Sequence, residues 1–186
     1  MRVRTSGRAD ILGVVLAGGQ SRRFGSDKAL AVLDGATLLD RAVAQLKGWC
    51  ATVVVAGRSE APVPVVADWP APGMGPLGGI AGALRLAREQ GFAAILTCGV
   101  DSPGLPDELP DLLAPGPAYV ADQPVIALWP VSAAEAVAQI LEGSGRHSML
   151  ALAEAMGARA VALPSPTPNV NSPDDLIALG GRTPKR

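Results

Sequence analysis

Residues 11–28 read ILGVVLAGGQSRRFGSDK, an apolar run that passes directly into a basic segment rich in glycine. The aliphatic residues 11–16 predict a buried strand, because a short apolar run bounded by glycine suits a sheet better than a helix. The glycines that follow predict a tight turn at the carboxyl end of this strand. In an open α/β sheet that end is the edge where ligands bind.

Short β-branched runs alternate with helical patterns along the rest of the chain. The predicted strands are residues 11–16, 51–56, 63–68, 93–98, 125–129 and 158–163, and the predicted helices are residues 37–49, 76–90, 131–141 and 148–156. Ser172 is expected to cap a last short helix, with Pro173 in its first turn. Apolar strands that alternate with helices predict a Rossmann-like, mostly parallel sheet covered on both faces, a three-layer α/β/α sandwich.

The composition predicts a single domain over residues 1–186, with a core at about 11–180 and basic, frayed tails. A net charge of −1 argues against a nucleic-acid or membrane-surface partner. The apolar runs are far shorter than the roughly 20 residues of a membrane span, and the N-terminus lacks a signal core. We therefore expect a cytoplasmic protein.

The chain has two cysteines and one histidine, too few for a disulfide framework or a Cys/His zinc site. Cys50 and Cys98 border predicted strands, which favours small buried apolar side chains. His147 is interpreted as a surface or capping residue, because no partner of a catalytic triad lies near it in the sequence.

The glycine-rich segment, residues 16–28, has the features of a phosphate site. Gly18 and Gly19 would let an anion approach peptide N–H groups without an intervening Cβ. Cations outnumber acids three to one among its charged residues, which are Arg22, Arg23, Asp27 and Lys28. Arginine grips phosphate oxygens with two parallel hydrogen bonds, and lysine acts as a compact charge. The alternative is an ordinary strand-to-helix turn with a solvated basic face.

Two other phosphate motifs fit less well. A P-loop requires Lys and Ser/Thr where Ser26 and Asp27 stand, so that interpretation fails. Residues 73–78, GMGPLG, match the G-x-G-x-x-G pattern of dinucleotide-binding folds. Pro76 occupies the turn, however, and no acidic residue ends a following strand at the usual distance, so a dinucleotide fold remains a weaker alternative.

With these residues in view, the chain resembles the molybdenum cofactor guanylyltransferases, the MobA-like branch of the nucleotidyltransferase superfamily. The motifs that carry the resemblance are LAGGQSRRFGSDK (16–28), GPLGGIAGAL (75–84), CGVDSPGLP (98–106) and NVNSPDDL (169–176). LAGG and the GPLGG loop favour the guanylyl branch, because cytidylyl relatives usually have L-A-A-G and lack that loop. The resemblance implies the nucleotide-diphospho-sugar transferase type of α/β fold.

The resemblance also implies a reaction and its residues: Mg²⁺-dependent transfer of GMP from GTP to a molybdopterin-type molybdenum cofactor. The implied GTP-binding residues are Leu16, Ala17, Gly18, Gly19, Lys28, Asp68, Gly75, Pro76, Leu77, Gly78 and Asp101. Arg22 and Lys28 would act on the phosphates, and Asp101 would be the Mg²⁺ ligand. Asn169 and Asn171 would lie near the acceptor pterin. The further partners implied are proteins that deliver the cofactor or receive the product.

These residue types suit nucleotidyl transfer, in which an acceptor phosphate attacks the α-phosphorus of a triphosphate. An Asp after a central strand offers hard oxygen ligands to Mg²⁺, and the loop cations would stabilise the leaving pyrophosphate. Taken alone, Asp101 could equally cap a turn. The open alternatives are a cytidylyltransferase of the same cofactor, a sugar-1-phosphate nucleotidyltransferase and a non-catalytic nucleotide- or cofactor-binding module. The segment 113–125 is shorter than the corresponding hairpin of relatives, which leaves the acceptor wall unassigned.

Overall fold

The computed structural model describes residues 9–19, 24 and 27–181, so residues 1–8 and 182–186, where most of the expected tails fall, lie outside it. The strands are β1 (Ile11–Leu16), β2 (Val32–Leu33), β3 (Ala36–Thr37), β4 (Thr52–Ala56), β5 (Val65–Val66), β6 (Ala94–Gly99), β7 (Ala118–Val120), β8 (Gln123–Pro130) and β9 (Arg159–Val161). The helices are a 3-10 helix (Lys28–Leu30), α1 (Leu38–Trp49), α2 (Gly75–Gln90), α3 (Leu109–Leu113), α4 (Ala133–Glu142), α5 (Met149–Ala155) and α6 (Pro173–Ala178).

One seven-stranded sheet has the order β5-β4-β1-β6-β8-β7-β9. β1 lies between β4 and β6 and is parallel to both, β5 is parallel to β4, and β9 is parallel to β7. β8 is antiparallel to its neighbours β6 and β7. The sheet is therefore mostly parallel, as predicted, with one reversed strand. The carboxyl ends of β5, β4, β1 and β6 lie at the same edge, so the segments that leave them meet there.

Helices cover both faces of this sheet. In β1, Leu12 and Val14 belong to the apolar layer shared with α2, α4 and α5, whereas Val15 belongs to the layer shared with α1, α3 and α6. Alternate strand residues point to opposite faces, so a strand buried on both faces must be apolar throughout. This burial confirms the predicted three-layer α/β/α sandwich. No helix in the described part of the chain has both the length and the apolar character needed to cross a bilayer.

The predicted helices are all present, and the differences concern short elements. The strand predicted over residues 63–68 is wrong in extent, because only Val65–Val66 pair with β4. Pro64 has no N–H to donate, and its carbonyl accepts from Val55 at 3.0 Å at the sheet edge. The elements α3, β7 and the β2–β3 hairpin were not predicted from the sequence. Elements of two to five residues are too short to show a periodic pattern.

The structure agrees with the expectations for cysteine and histidine. Cys50 and Cys98 are buried, and burial raises the pKa of the Cys98 thiol to about 12. His147 is exposed, with Nε2 3.0 Å from the carbonyl oxygen of Gly143.

Ser172 caps α6 through a capping box with Asp175. The Asn171 and Ser172 amides that donate to Asp175, and the Ser172 hydroxyl beside it, lower the pKa of that carboxyl.

Gly82 is the point of closest approach between α2 and the segment after β5. A Cβ on Gly82 would collide with the carbonyl oxygen of Ala67, whereas a Cβ on Gly48 in α1 would meet nothing within 4 Å. We expect Gly82→Ala to lower the free energy of unfolding by about 1–3 kcal/mol through overpacking. The matched control Gly48→Ala should raise it by up to about 1 kcal/mol through helix propensity. Urea unfolding followed by circular dichroism measures both, and equal stability of the two variants would contradict this packing.

Candidate active site

The turn that leaves β1 lies against the turn that leaves β4. The Ala17 amide donates to the carbonyl of Ala56 at 3.0 Å, which extends the pairing of the two strands. Gly57 has a φ of +82°, and a Cβ there would lie 2.6 Å from the nitrogen of Gly18. Only glycine fits at position 57, because a side chain would be strained and would displace the neighbouring turn. Gly18 and Gly19 are exposed, and a Cβ on Gly19 would meet nothing within 4 Å.

Lys28 and Asp101 meet at this edge although they are 73 residues apart. The Lys28 Nζ donates to Asp101 Oδ2 at 3.2 Å and to the carbonyl of Val170 at 3.1 Å. The Lys28 side chain is 15% exposed and that of Asp101 is 34% exposed. A Cβ at Gly99 would collide with Asp101 Oδ1, so glycine there gives the carboxylate room. One ammonium group thus lies between two hard oxygen atoms, and the carboxylate remains accessible to solvent.

Asp27, directly before Lys28, forms a bidentate ion pair with Arg58. The Nη2–Oδ2 distance is 2.7 Å and the Nη1–Oδ1 distance is 3.1 Å. Asp27 Oδ1 also accepts from the Ala29 amide at 3.1 Å and caps the 3-10 helix. The Arg58 guanidinium holds the pKa of the Asp27 carboxyl below its usual value, and Asp27 raises the pKa of Arg58. Arg58 was not predicted as a site residue. The only feature of the sequence that could have indicated it is its position directly after Gly57, where the chain leaves β4.

Asp68 lies two residues beyond β5, not at the end of a strand as expected. Its Oδ2 accepts from the Gly73 amide at 3.2 Å. A Cβ on Gly79 would lie 3.6 Å from Asp68 Oδ1 and 3.1 Å from Cδ2 of Leu16. Gly79, the fifth residue of α2, therefore fits between Asp68 and the last residue of β1.

The loop at residues 75–78 forms the start of α2, as predicted, with Pro76 in the first turn. Gly75 and Pro76 are exposed, and the Gly78 carbonyl accepts from the Trp69 amide at 3.1 Å. The Leu77 side chain is buried in the core between the sheet and α2. Leu77 therefore offers a ligand only its backbone, a restriction that the motif alone does not reveal.

The segment 169–171 lies across the turn that contains Asp101. The Val170 amide donates to the carbonyl of Asp101 at 2.7 Å, and the Val170 side chain is fully buried. Asn169 and Asn171, on either side of this anchor, are both exposed. The structure thus brings both asparagines to the side of Asp101, where the resemblance expects the acceptor.

A polar network, not predicted from the sequence, connects the segment that precedes Asn169 to the sheet. Gln123 is the first residue of β8; its Oε1 accepts from Ser102 Oγ, and its Nε2 donates to Thr167 Oγ1 at 2.9 Å. Ser102 is buried beside Asp101. The network therefore connects the residue after Asp101 to the start of β8 and to the segment that precedes Asn169. No sequence signal identified these residues, because each finds its partners far along the chain.

Arg22 and Arg23 lie outside the described residues, so the role expected for Arg22 stays a prediction. Within residues 9–19, 24 and 27–181, no three His, Cys, Asp or Glu side chains converge as a metal cage would require. Mg²⁺ in phosphate-transfer sites usually takes one or two carboxylates, with substrate phosphates and waters as its other ligands. The Asp101 carboxylate together with the Val170 carbonyl suits a site of that kind.

Comparison with known proteins gives consistent relatives. A family model described as the MobA-like NTP transferase domain matches residues 13–162. The molybdenum cofactor guanylyltransferase of Acidiphilium cryptum (strain JF-5) is 36% identical over 179 residues, covering 89% of this chain and 91% of that protein. That of Rhodobacter capsulatus is 33% identical over 182 residues, covering 92% and 96%. The crystal structure of molybdopterin-guanine dinucleotide biosynthesis protein A from Archaeoglobus fulgidus has the same fold, with a TM-score of 0.72, 22% identity and coverage of 90% and 96%.

Proposed function

The chain belongs to the MobA-like NTP transferase family, and on that premise we propose that it transfers GMP from GTP to a molybdopterin-type molybdenum cofactor, with release of pyrophosphate. The observation that carries this function is the meeting of Lys28 and Asp101 beside the exposed glycine turn of β1. The relatives from Acidiphilium cryptum and Rhodobacter capsulatus, both molybdenum cofactor guanylyltransferases, support it.

The strand order arranges the candidate groups along one edge of the sheet. The segments that leave β5, β4, β1 and β6 carry, in that order, Asp68, Gly57, the glycine-rich segment and Asp101. In our proposal the base and ribose of GTP lie between Asp68 and residues 75–78, and the triphosphate lies on the backbone of residues 16–19. The acceptor would then lie beyond Asp101, near Asn169 and Asn171. In this arrangement the α-phosphorus would lie between the donor and acceptor halves of the site.

The residues of this chain would act mainly by neutralising charge. The attacking group is a phosphate oxygen of the acceptor; its bond to the α-phosphorus forms as the bond to pyrophosphate breaks. Lys28, and by resemblance Arg22, would stabilise the negative charge that develops on pyrophosphate. No covalent nucleophile is needed, which agrees with the burial of Cys50 and Cys98.

Asp101 and the Val170 carbonyl would hold the Mg²⁺ ion that the family resemblance implies. These two groups suit Mg²⁺ because both offer hard oxygen atoms, and both already accept hydrogen bonds from one cation, the Lys28 ammonium. When bound, the ion would polarise the α-phosphoryl group and offset the charge of the triphosphate. Lys28 would then turn from Asp101 towards the phosphates.

Turnover of GTP compared with that of CTP distinguishes the guanylyltransferase function from the cytidylyltransferase alternative. With purified protein, molybdopterin-type cofactor and Mg²⁺, we expect kcat/KM for pyrophosphate release to be about a hundredfold higher with GTP, because mismatched bases leave buried polar groups unpaired. Preference for CTP would assign the chain to the cytidylyl branch. Release that requires a sugar 1-phosphate would indicate a sugar nucleotidyltransferase, and nucleotide binding without any release would indicate a binding module.

The remaining expectations concern location and partners, and only the partners rest on the family resemblance. We propose a cytoplasmic location, and partners that deliver the molybdenum cofactor or receive the guanine dinucleotide product. The net charge of −1 gives no reason to add a nucleic-acid or membrane partner.

A further inference from the structure

Gly57 and Arg58, which follow β4, contact both ends of the glycine-rich segment. At its start, Gly57 lies flush against Gly18, where no side chain would fit. At its end, the Arg58 guanidinium makes the bidentate pair with Asp27. The two contacts fix where the segment leaves β1 and where it enters the 3-10 helix.

The pair between Arg58 and Asp27 has the features of a fixed structural link. The Arg58 side chain is 19% exposed, and that of Asp27 is 41% exposed. The Arg58 Nε is buried and has no hydrogen-bond partner among the described residues, so the Nη atoms make its ordered polar contacts. A planar guanidinium that faces a carboxylate with two parallel bonds sets orientation as well as distance. Lysine could not reproduce this geometry.

The link reaches Lys28 through a single peptide bond. Asp27 binds Arg58 and the Ala29 amide at once, so the backbone on both sides of Lys28 is held. The Lys28 side chain then extends to Asp101 and to the carbonyl of Val170. Loss of the Arg58 guanidinium would leave the capping carboxylate without the contact that orients it.

We propose that Arg58 is a positioning residue for the nucleotide site: through Asp27 it fixes the end of the glycine-rich segment and the backbone from which the Lys28 side chain reaches the triphosphate. The inference rests on the proposed function and adds a residue to it. In this proposal Arg58 does not contact the phosphates itself, and each of its Nη groups donates one N–H to Asp27.

Removal of Asp27 separates this role from direct phosphate binding. A direct role predicts that Asp27→Ala strengthens GTP binding, since it removes a negative charge and releases Arg58. A positioning role predicts the opposite sign, with GTP·Mg²⁺ binding weakened about ten- to a hundredfold in both Asp27→Ala and Arg58→Ala. The double variant should bind no more weakly than either single variant, because both remove the same link. Titration calorimetry measures these affinities.

Arg88→Ala is the matched control, because Arg88 pairs with Glu135 on the surface of α2 and α4 at 3.7 Å. It should bind GTP like the wild type. Arg58→Lys should recover little of the affinity. In steady-state assays, KM for GTP should rise in Arg58→Ala, while KM for the acceptor stays unchanged. Tighter GTP binding by Asp27→Ala, or additive losses in the double variant, would overturn the inference.

Hydrogen exchange without nucleotide tests the link independently of the reaction. We expect amides 29–31 to exchange about tenfold faster in Arg58→Ala than in the wild type, because capped ends open less often. Unchanged exchange would overturn the inference whatever the substrate. If the wild type bound CTP in place of GTP, the proposed base specificity would fail, and the same affinity comparison with CTP would still decide the role of Arg58.

Discussion

Asp101→Ala is expected to lower turnover of GTP about a thousandfold or more while leaving the fold intact. Asp101 is the carboxylate that follows central strand β6, and it is accessible at the edge where the glycine turn and Lys28 meet. Loss of its oxygens removes the metal ligand of the proposed site. A metal that stabilises developing charge contributes several kcal/mol, and about 4 kcal/mol corresponds to a thousandfold in rate. Pyrophosphate release measured over a range of Mg²⁺ concentrations checks this.

Asp107→Ala is the control for Asp101→Ala, because Asp107 is an exposed aspartate of the same connection after β6. It should turn over GTP at the wild-type rate. Both variants should melt close to the wild type, because Asp107 is exposed, Asp101 is partly exposed, and Lys28 keeps the Val170 carbonyl as an acceptor in Asp101→Ala. Wild-type turnover by Asp101→Ala, or an equal loss in Asp107→Ala, would refute the metal role.

The fold could be predicted from the sequence where a strand buried on both faces is a continuous apolar run, and where a helix has a clear start signal. β1 and α2 are the clearest cases, because one is a short aliphatic run and the other begins with proline in its first turn. The β2–β3 hairpin had a signal that was not used: Asp34 and Gly35 form its turn with φ of 50° and 83°. β7 and α3 had none, because three and five residues acquire their structure only from their neighbours.

The site could be predicted where the motifs of the family resemblance name a residue. Asp101 taken alone could equally cap a turn, and the resemblance is what pairs it with Lys28 as a site residue; the structure brings the two side chains together. Arg58, Gln123 and the Val170 carbonyl could not be found in this way. Each acts through a partner more than twenty residues distant in sequence, so only the three-dimensional arrangement identifies it.

Lys28→Ala is expected to lower kcat/KM for GTP about a hundred- to a thousandfold, the range seen when one preorganised charge donor is lost. The ammonium is largely buried at the entry to the site, where it has few water molecules to screen it. Lys28→Arg should restore little activity, because a planar guanidinium is not the compact charge that would move from Asp101 Oδ2 and the Val170 carbonyl to the phosphates. Steady-state pyrophosphate assays at saturating acceptor measure the loss.

Lys28→Ala is expected to bind a divalent metal ion more tightly although it loses activity. A general loss of structure would instead weaken metal binding. The Lys28 ammonium occupies the space between the two oxygen atoms that would ligate Mg²⁺, so it competes with a divalent ion when no nucleotide is present. Removal of one positive charge a few ångströms away should favour the ion by roughly 1–2 kcal/mol, which is about tenfold in affinity. Mn²⁺ titration followed by electron paramagnetic resonance should therefore show tighter binding by Lys28→Ala than by the wild type, and none by Asp101→Ala.

Lys47→Ala, at an exposed lysine of α1, should leave both turnover and Mn²⁺ affinity unchanged. Weaker Mn²⁺ binding by Lys28→Ala would mean that Lys28 supports the ion instead of competing with it, and the exchange of Lys28 from Asp101 to the phosphates would then be wrong.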